Sequence, residues 1–313
     1  MTADKNLELN IGHLSTVYHT NFLLCKNKEF EKELGGNINW RLYGTGPEMI
    51  NAFRKGRLDI GYLGLPPALI GIDNGIKIKC VAGGHIEGTI MIAKSNYKTI
   101  FECNKRVSKT LSQFRRKSIG TPSKGSIHDV ILNYYLDKYK LTNHVNVVHY
   151  DQPELIAIDI RKGLLEAAVG TPALAVFCST IFMSHTIIPP NKLWRYNPSY
   201  GIFFREEIIE KKPEILEKFL SYHKKATTLI RTDPMKAAEQ IAGTSNFLNT
   251  NYVKSILEIS PRYCISLSKP MIKSTIKFAE NLQKLKYIKK KLNISEIFHF
   301  DQVNYIHPEK DHY

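Results

Sequence analysis

Residues Gly44–Gly75 read GTGPEMINAFRKGRLDIGYLGLPPALIGIDNG, and their order decides the fold. Gly44-Thr45-Gly46-Pro47 is a turn. Met49, Ile50, Ala52 and Phe53 fall on one face of a short amphipathic helix running from Glu48 to Lys55. Gly56 stops that helix as a C-terminal glycine does. Leu58-Asp59-Ile60-Gly61-Tyr62-Leu63 is a strand. Gly64-Leu65-Pro66-Pro67 turns into the next helix, where proline is tolerated because first-turn N–H groups have no partner inside the helix.

The same logic returns later in the chain. Lys162-Gly163-Leu164-Leu165-Glu166-Ala167-Ala168-Val169-Gly170-Thr171-Pro172-Ala173 is again helix, glycine stop, strand, glycine, then proline entering a helix. One copy in each half predicts two similar α/β lobes, each a mixed sheet flanked by helices, with a ligand cleft between the paired turns. The first lobe is expected over 7–93 plus 196–313 and the second over 94–195. Chain crossings are expected near Ala93 and Asn197.

The order of helix, basic turn, G-x-L-D-I-G strand, G-x-P-P and helix resembles the ABC-transporter solute-binding proteins of the nitrate, sulfonate and taurine branch. That branch has the type II periplasmic-binding-protein fold and is related to the thiamine-pyrimidine synthesis proteins of yeast type. A second family-like piece is Ser123-Lys124-Gly125-Ser126-Ile127-His128-Asp129, a small-residue loop opening a helix. A third is the P-E-I-L-x-x-F-L stretch from Pro213 followed by Asp233-Pro234. The resemblance spans about residues 7 to 245 and implies a binding protein for a small anionic or zwitterionic organic ligand, such as a sulfonate, nitrate, taurine or a carboxylate. It departs from the family at Glu166, where aspartate is usual, and that carboxylate is read as serving strand entry.

Bulk properties agree with a globular chain. The 313 residues are 43% apolar and 23% charged, enough for two domains with cores. No apolar run reaches the length of a transmembrane helix. The net charge of +15, from 44 Lys plus Arg against 29 Asp plus Glu, suits a lysine-rich surface, an acidic membrane face or an anionic ligand. No zinc-finger spacing, RNP-type motif or P-loop is present, so nucleic acid is not the expected partner. Met1–Asn6 shows no secretory signal pattern. Cys25, Cys80, Cys103, Cys178 and Cys264 are odd in number and form no C-x-x-C pair. Both features favour the cytoplasm as the sequence stands. A removed signal would place the protein in the periplasm or outside the cell, with an ABC permease as partner.

The first strand is expected to begin at Leu7, and Val17–Cys25 reads as a helix continued by Phe30–Leu34. A further strand is expected from Ile76 to Gly83, then a loop over 83–88. Tyr97–Arg116 reads as a basic surface segment, and the tail from Tyr252 as helical, with Lys286–Leu292 a basic amphipathic stretch.

Candidate ligand contacts are groups just past strand ends, where helix N–H donors are unpaired. In the first lobe these are His13, Ser15, Thr16, Leu65, Pro66, His85 and Glu87. In the second they are Ser123, Gly125, Ser126, His128 and Thr171, and the resemblance implies Tyr200 on the return strand as a further contact. His13 reads equally as a loop histidine bonded to backbone, Glu87 as a solvent-facing carboxylate, and Ser123 or Ser126 as an ordinary N-cap. A Glu87 inside the cleft would call for a cationic group on the ligand. His19, His144 and His185 read as ordinary surface or core residues. Metal spacings such as H-E-x-x-H are missing, as are G-x-S-x-G and a Rossmann fingerprint. No catalytic residue, metal ligand or cofactor is therefore assigned. The alternative function is an intracellular enzyme on the same fold, akin to the thiamine-pyrimidine precursor synthases or to menaquinone-pathway enzymes. The cysteine-rich stretch of the former has no counterpart here.

Overall fold

The computed structural model describes residues 8–313. Met1–Leu7, including the expected start of the first strand at Leu7, lie outside the described residues. The chain divides into two units, the first ending at Ile86 and resuming over Pro198–Tyr313, the second covering Glu87–Asn197.

The first unit opens with β1 (Glu8–His13), two short helices α1 (Asn21–Leu24) and α2 (Lys28–Leu34), and β2 (Asn37–Leu42). The Gly44–Gly75 stretch follows as α3 (Gly46–Arg54), β3 (Ile60–Leu63) and α4 (Leu65–Asp73), then β4 (Ile78–Ile86). Thr45 caps α3 by accepting from the Glu48 N–H. Met49, Ile50, Ala52 and Phe53 are buried as the periodicity requires.

The second unit holds β5 (Ile90–Ala93), α5 (Val107–Ser112), β6 (Ser118–Pro122), α6 (Ile127–Lys138) and β7 (Asn146–Tyr150). It continues with α7 (Glu154–Arg161), β8 (Ala167–Gly170), α8 (Pro172–Phe182) and β9 (His185–Ile188). The chain then returns to the first unit as β10 (Pro198–Arg205), α9 (Glu206–Lys211), α10 (Pro213–Thr232) and α11 (Pro234–Ala242). It ends with α12 (Thr250–Ile259), α13 (Lys269–Lys284), α14 (Ile294–Ile297) and α15 (Asp301–Ile306).

Each unit has one five-stranded sheet, and the two orders correspond: β2-β1-β3-β10-β4 and β7-β6-β8-β5-β9. In both, the first three strands run parallel and the next is antiparallel to them. The repeat read from the sequence is thus a repeat of topology. Matching carboxylates hold matching strand entries. Asp59 accepts from the Asn10 N–H at 2.9 Å, and Glu166 accepts from the Tyr97 hydroxyl at 3.0 Å and from Lys94 at 3.2 Å. The glycine stops Gly56 and Gly163 also match, with φ of 69° and 78°.

Several local expectations give way to tertiary structure. The strand Ile90–Ala93 pairs with β8 and β9, so it belongs to the second sheet and not to the first. The helix expected over Val17–Cys25 shrinks to Asn21–Leu24, because Tyr18 and His19 are buried in the aromatic cluster under β10 and break the turn pattern. A separate helix starts at Asn27, whose side chain accepts from the Phe30 N–H. β4 continues through Gly83–Ile86, where a loop was expected, because β10 and the segment after α12 supply partners on both sides, with His85 opposite Tyr200 and Tyr263. The segment 97–116 is not all surface: Cys103, Leu111 and Phe114 are buried, and Tyr97 stacks on Phe114 at 4.6 Å between ring centroids. Lys286–Leu292 is irregular instead of helical. Its Lys289 and Lys290 amides bind the Asp73 carboxylate at 3.0 Å each, and Ile288 and Leu292 are buried. Among the described residues no helix is long and apolar enough to cross a membrane.

Candidate functional site

Many of the residues singled out from the sequence lie where a strand gives way to a helix: His13, Ser15 and Thr16 after β1, Leu65 and Pro66 after β3, Ser123, Gly125, Ser126 and His128 after β6, and Thr171 after β8. In the first unit, His13, Ser15 and Thr16 follow β1. The His13 Nδ1 lies 3.1 Å from the Leu14 carbonyl, and its ring packs edge-on against Phe22 and Trp40. Burial holds its pKa below the usual value, so the neutral ring is favoured. The same turn carries a set of buried polar atoms with no hydrogen-bond partner among the described residues: Thr16 Oγ1, His19 Nδ1 and both amide atoms of Asn21. A buried polar group left unpaired costs about 1–3 kcal/mol. Three such residues on one turn mark a place where water or a ligand completes the bonding. His19, read as an ordinary histidine, is therefore a site candidate, and Asn21 joins it.

Leu65 and Pro66 open α4 and are buried. The double proline limits what this helix end offers. Pro66 and Pro67 have no N–H, so two of the first-turn donors are missing. This turn supplies apolar wall more than anion-binding donors.

His85 lies on β4 and Tyr200 on β10, and both are buried. His85 Nε2 lies 2.6 Å from the Ser260 carbonyl, and its ring packs on Tyr263 and Tyr18. Tyr200 is fully buried, its ring 3.9 Å from the His19 ring, and its hydroxyl accepts from the Thr20 N–H at 3.2 Å. Tyr200 thereby supports the β1–α1 turn from beneath.

In the second unit, Ser126 is the N-cap of α6, its hydroxyl accepting from the Asp129 N–H. Gly125 has φ of 82°, a left-handed conformation that a side chain would strain. Its N–H donates to the Asp129 carboxylate at 2.8 Å, so Gly125 shapes the loop and its amide is already used. The amides of Ile127 and His128, the first two of α6, have no acceptor within the helix. Ser123 is buried beside them. Asp129 is fully buried and also accepts from Asn133 Nδ2 at 2.5 Å and meets His149 Nε2 at 2.8 Å. His128 Nδ1 lies 3.1 Å from the Thr89 hydroxyl oxygen. Thr171 caps α8 by accepting from the Leu174 N–H, and Pro172 removes one donor there. Glu87 is 2% exposed, with φ of 60°, and its Oε1 accepts from the Tyr196 N–H at 2.9 Å. The expectation of a solvent-facing carboxylate fails because the chain folds Tyr196 back onto it.

Three buried histidines carry a pH consequence. Burial lowers the pKa of His85 to about 4, of His128 to about 3 and of His223 to about 4. Each is neutral in the fold and takes up a proton more readily in the unfolded chain. Their stabilisation is complete above the unfolded value of 6.5 and is lost as pH falls towards the folded values. Between about pH 7 and about pH 5 the loss should be on the order of 2 kcal/mol for each histidine. Urea unfolding at the two pH values checks this, and equal midpoints would rule it out.

One cluster was not anticipated from sequence spacing. Cys264, His307 and His312, all in the first unit, bring their ligand atoms within 4.8 Å of one another. The only signal in the sequence was the pair of histidines near its end.

Two α/β units of matching sheet order, with polar groups gathered at their strand-to-helix turns, define a type II periplasmic-binding-protein fold. The chain belongs to the NMT1-like family, whose model matches residues 2–245. It is similar to a Brucella abortus (strain 2308) protein provisionally named a binding protein, at 22% identity over 279 residues, covering 86% of this chain and 80% of that one. Among solved structures it is similar to the alkanesulfonate-binding protein SsuA from Xanthomonas axonopodis pv. citri bound to MOPS. The TM-score there is 0.79 at 16% identity, covering 95% of this chain and all of that one (100%). It is also similar to the periplasmic nitrate-binding protein NrtA from Synechocystis PCC 6803, with a TM-score of 0.76 at 10% identity, covering 96% and 88%.

Proposed function

We propose that the chain binds a small anionic or zwitterionic organic molecule, of the sulfonate, nitrate or carboxylate class, as a solute-binding protein. The observation that carries this reading is the set of unsatisfied polar atoms on the β1–α1 turn, at Thr16, His19 and Asn21. In the second unit, the α6 start offers the Ser126 hydroxyl and the Ile127 and His128 amides, with the positive end of a twelve-residue helix behind them. Neutral histidines and uncharged donors suit an oxygen-rich group that is held by hydrogen bonds. The alkanesulfonate- and nitrate-binding proteins of the same fold support this ligand class. Handing the ligand to an ABC permease is the partner step that goes with this reading and would need a location outside the cytoplasm. The five free cysteines suit a reducing compartment, which makes location a separate question from binding.

Native mass spectrometry of freshly purified protein should show a co-purified small molecule. Calorimetry with alkanesulfonates, taurine, nitrate and small carboxylates should then give saturable binding for one class. Ser126→Ala removes one hydrogen bond to a charged ligand, worth about 1.5–3 kcal/mol, and should weaken binding roughly tenfold to a hundredfold. Loss of its capping bond should cost only about 1 kcal/mol of stability. Unchanged affinity in Ser126→Ala and in Asn21→Ala would place the site elsewhere.

A further inference from the structure

We propose that Cys264, His307 and His312 form a binding site for a zinc-type divalent transition cation, clipping the last residues of the chain to the strand edge of the first unit. The cluster is distinct from the ligand site above. Cys264 Sγ is 3.2 Å from His307 Nε2 and 3.4 Å from His312 Nδ1, and the two nitrogens are 3.2 Å apart. A zinc ion at about 2.3 Å from sulfur and about 2.0–2.1 Å from nitrogen sets ligand–ligand edges of about 3.3–3.6 Å in a tetrahedron. The observed triangle is within a few tenths of an ångström of that face.

Hydrogen bonding alone does not account for three short edges. A ring nitrogen is either a donor or an acceptor, never both, while the thiol has one proton to give. Protons can therefore serve at most two of the three edges. One cation at the centre takes a lone pair from all three atoms. On binding, the Cys264 S–H bond is exchanged for a sulfur–metal bond and the proton leaves to solvent. One thiolate and two imidazoles suit zinc, and cobalt as its spectroscopic stand-in, far better than magnesium or calcium, which prefer oxygen. Cys264 is 1% and His307 7% exposed, whereas His312 lies at the surface and gives the ion a way in. The fourth position falls to water, with the Glu309 carboxylate 3.7 Å from His307 Nε2 and already paired with Lys224 at 2.6 Å.

The surrounding backbone is built to hold the ligands in place. Gly83 N–H donates to the Ile265 carbonyl at 2.9 Å, and Cys264 N–H to the Gly84 carbonyl at 3.3 Å, fixing the cysteine against β4. The Tyr313 hydroxyl reaches the Cys264 carbonyl at 2.6 Å, just past His312. His307 follows α15 directly, and its N–H donates to the Val303 carbonyl at 2.9 Å.

The test is cobalt titration of the full-length protein after metal removal. One equivalent should bind, with the visible bands of tetrahedral cobalt and a near-ultraviolet thiolate-to-cobalt band. Cys264→Ser should lose the thiolate band. His312→Asn alters a surface residue and leaves the core untouched. It should weaken zinc, measured by competition, by at least about tenfold, since even loss of an outer-shell partner costs that much. Absence of saturable cobalt binding in the unaltered protein would overturn the proposal. So would a cobalt spectrum that survives unchanged in both variants.

Discussion

Asp129→Ala should lower the stability of the second unit by about 3–5 kcal/mol and weaken ligand binding at the same time. Asp129 is fully buried and its carboxylate gathers the Gly125 N–H, the Asn133 amide and His149. Removing one partner from a buried polar network leaves the others unpaired in a low dielectric, which is where losses of this size arise. The lower end applies because the His149 side chain keeps 33% of its surface in water. The binding loss follows from position. The Gly125–Ser126 loop is held in its left-handed turn by this carboxylate, and without it the first turn of α6 is no longer presented in one geometry. Urea unfolding and calorimetry of the same variant are the measurements. An unchanged unfolding midpoint would remove Asp129 from its role as the organiser of the loop.

Tyr200→Ala should destabilise the first unit by about 3–5 kcal/mol, the usual range for emptying a buried large-aromatic site. The ring has no exposed surface and lies against His19, Tyr18 and Tyr62. It fills space that cannot close up. A Cβ on Gly84 would come within 2.1 Å of it, so the neighbouring strand is already in tight contact. Tyr200→Phe keeps the packing and removes the hydroxyl that serves the Thr20 N–H. It should cost about 1–3 kcal/mol, the range for a buried donor left unpaired. Thermal unfolding of the two variants separates packing from hydrogen bonding. Equal, small effects would mean that Tyr200 faces a ligand or water instead of the core.

The sequence carried the elements whose signals are local. Gly56, Gly64, Gly163 and the prolines after β3 and β8 each act within a few residues of themselves, so the repeated strand–turn–helix unit was readable. Ser126 as a cap was readable for the same reason. The partners of His85 and Tyr200 were not. His85 is claimed by the carbonyl of Ser260, 175 residues on, and Tyr200 by Thr20, 180 residues back. A loop histidine and a core histidine look alike until the strand that covers them is known. The expected boundary of the first lobe at residue 93 falls beyond Ile90–Ala93, which pairs with β8 and β9, for a related reason: an apolar run of four residues states that it is buried without saying beside what. The Cys264 cluster combines residues 43 and 48 positions apart, a spacing that no short metal motif contains.

The strand order has a consequence for the timing of folding. All five strands of the second unit lie in one continuous run, Glu87–Asn197, and are available together as soon as that run has left the ribosome. The first unit begins earlier but lacks its fourth strand, β10, until after residue 198 has been made. β10 sits between β3 and β4, so until it arrives those two strands have bare edges and the sheet is split. The part synthesised first is therefore the part that must wait. During that interval the apolar strand Ile60–Leu63 is open to wrong pairing, and the contiguous unit can reach its native state ahead of it.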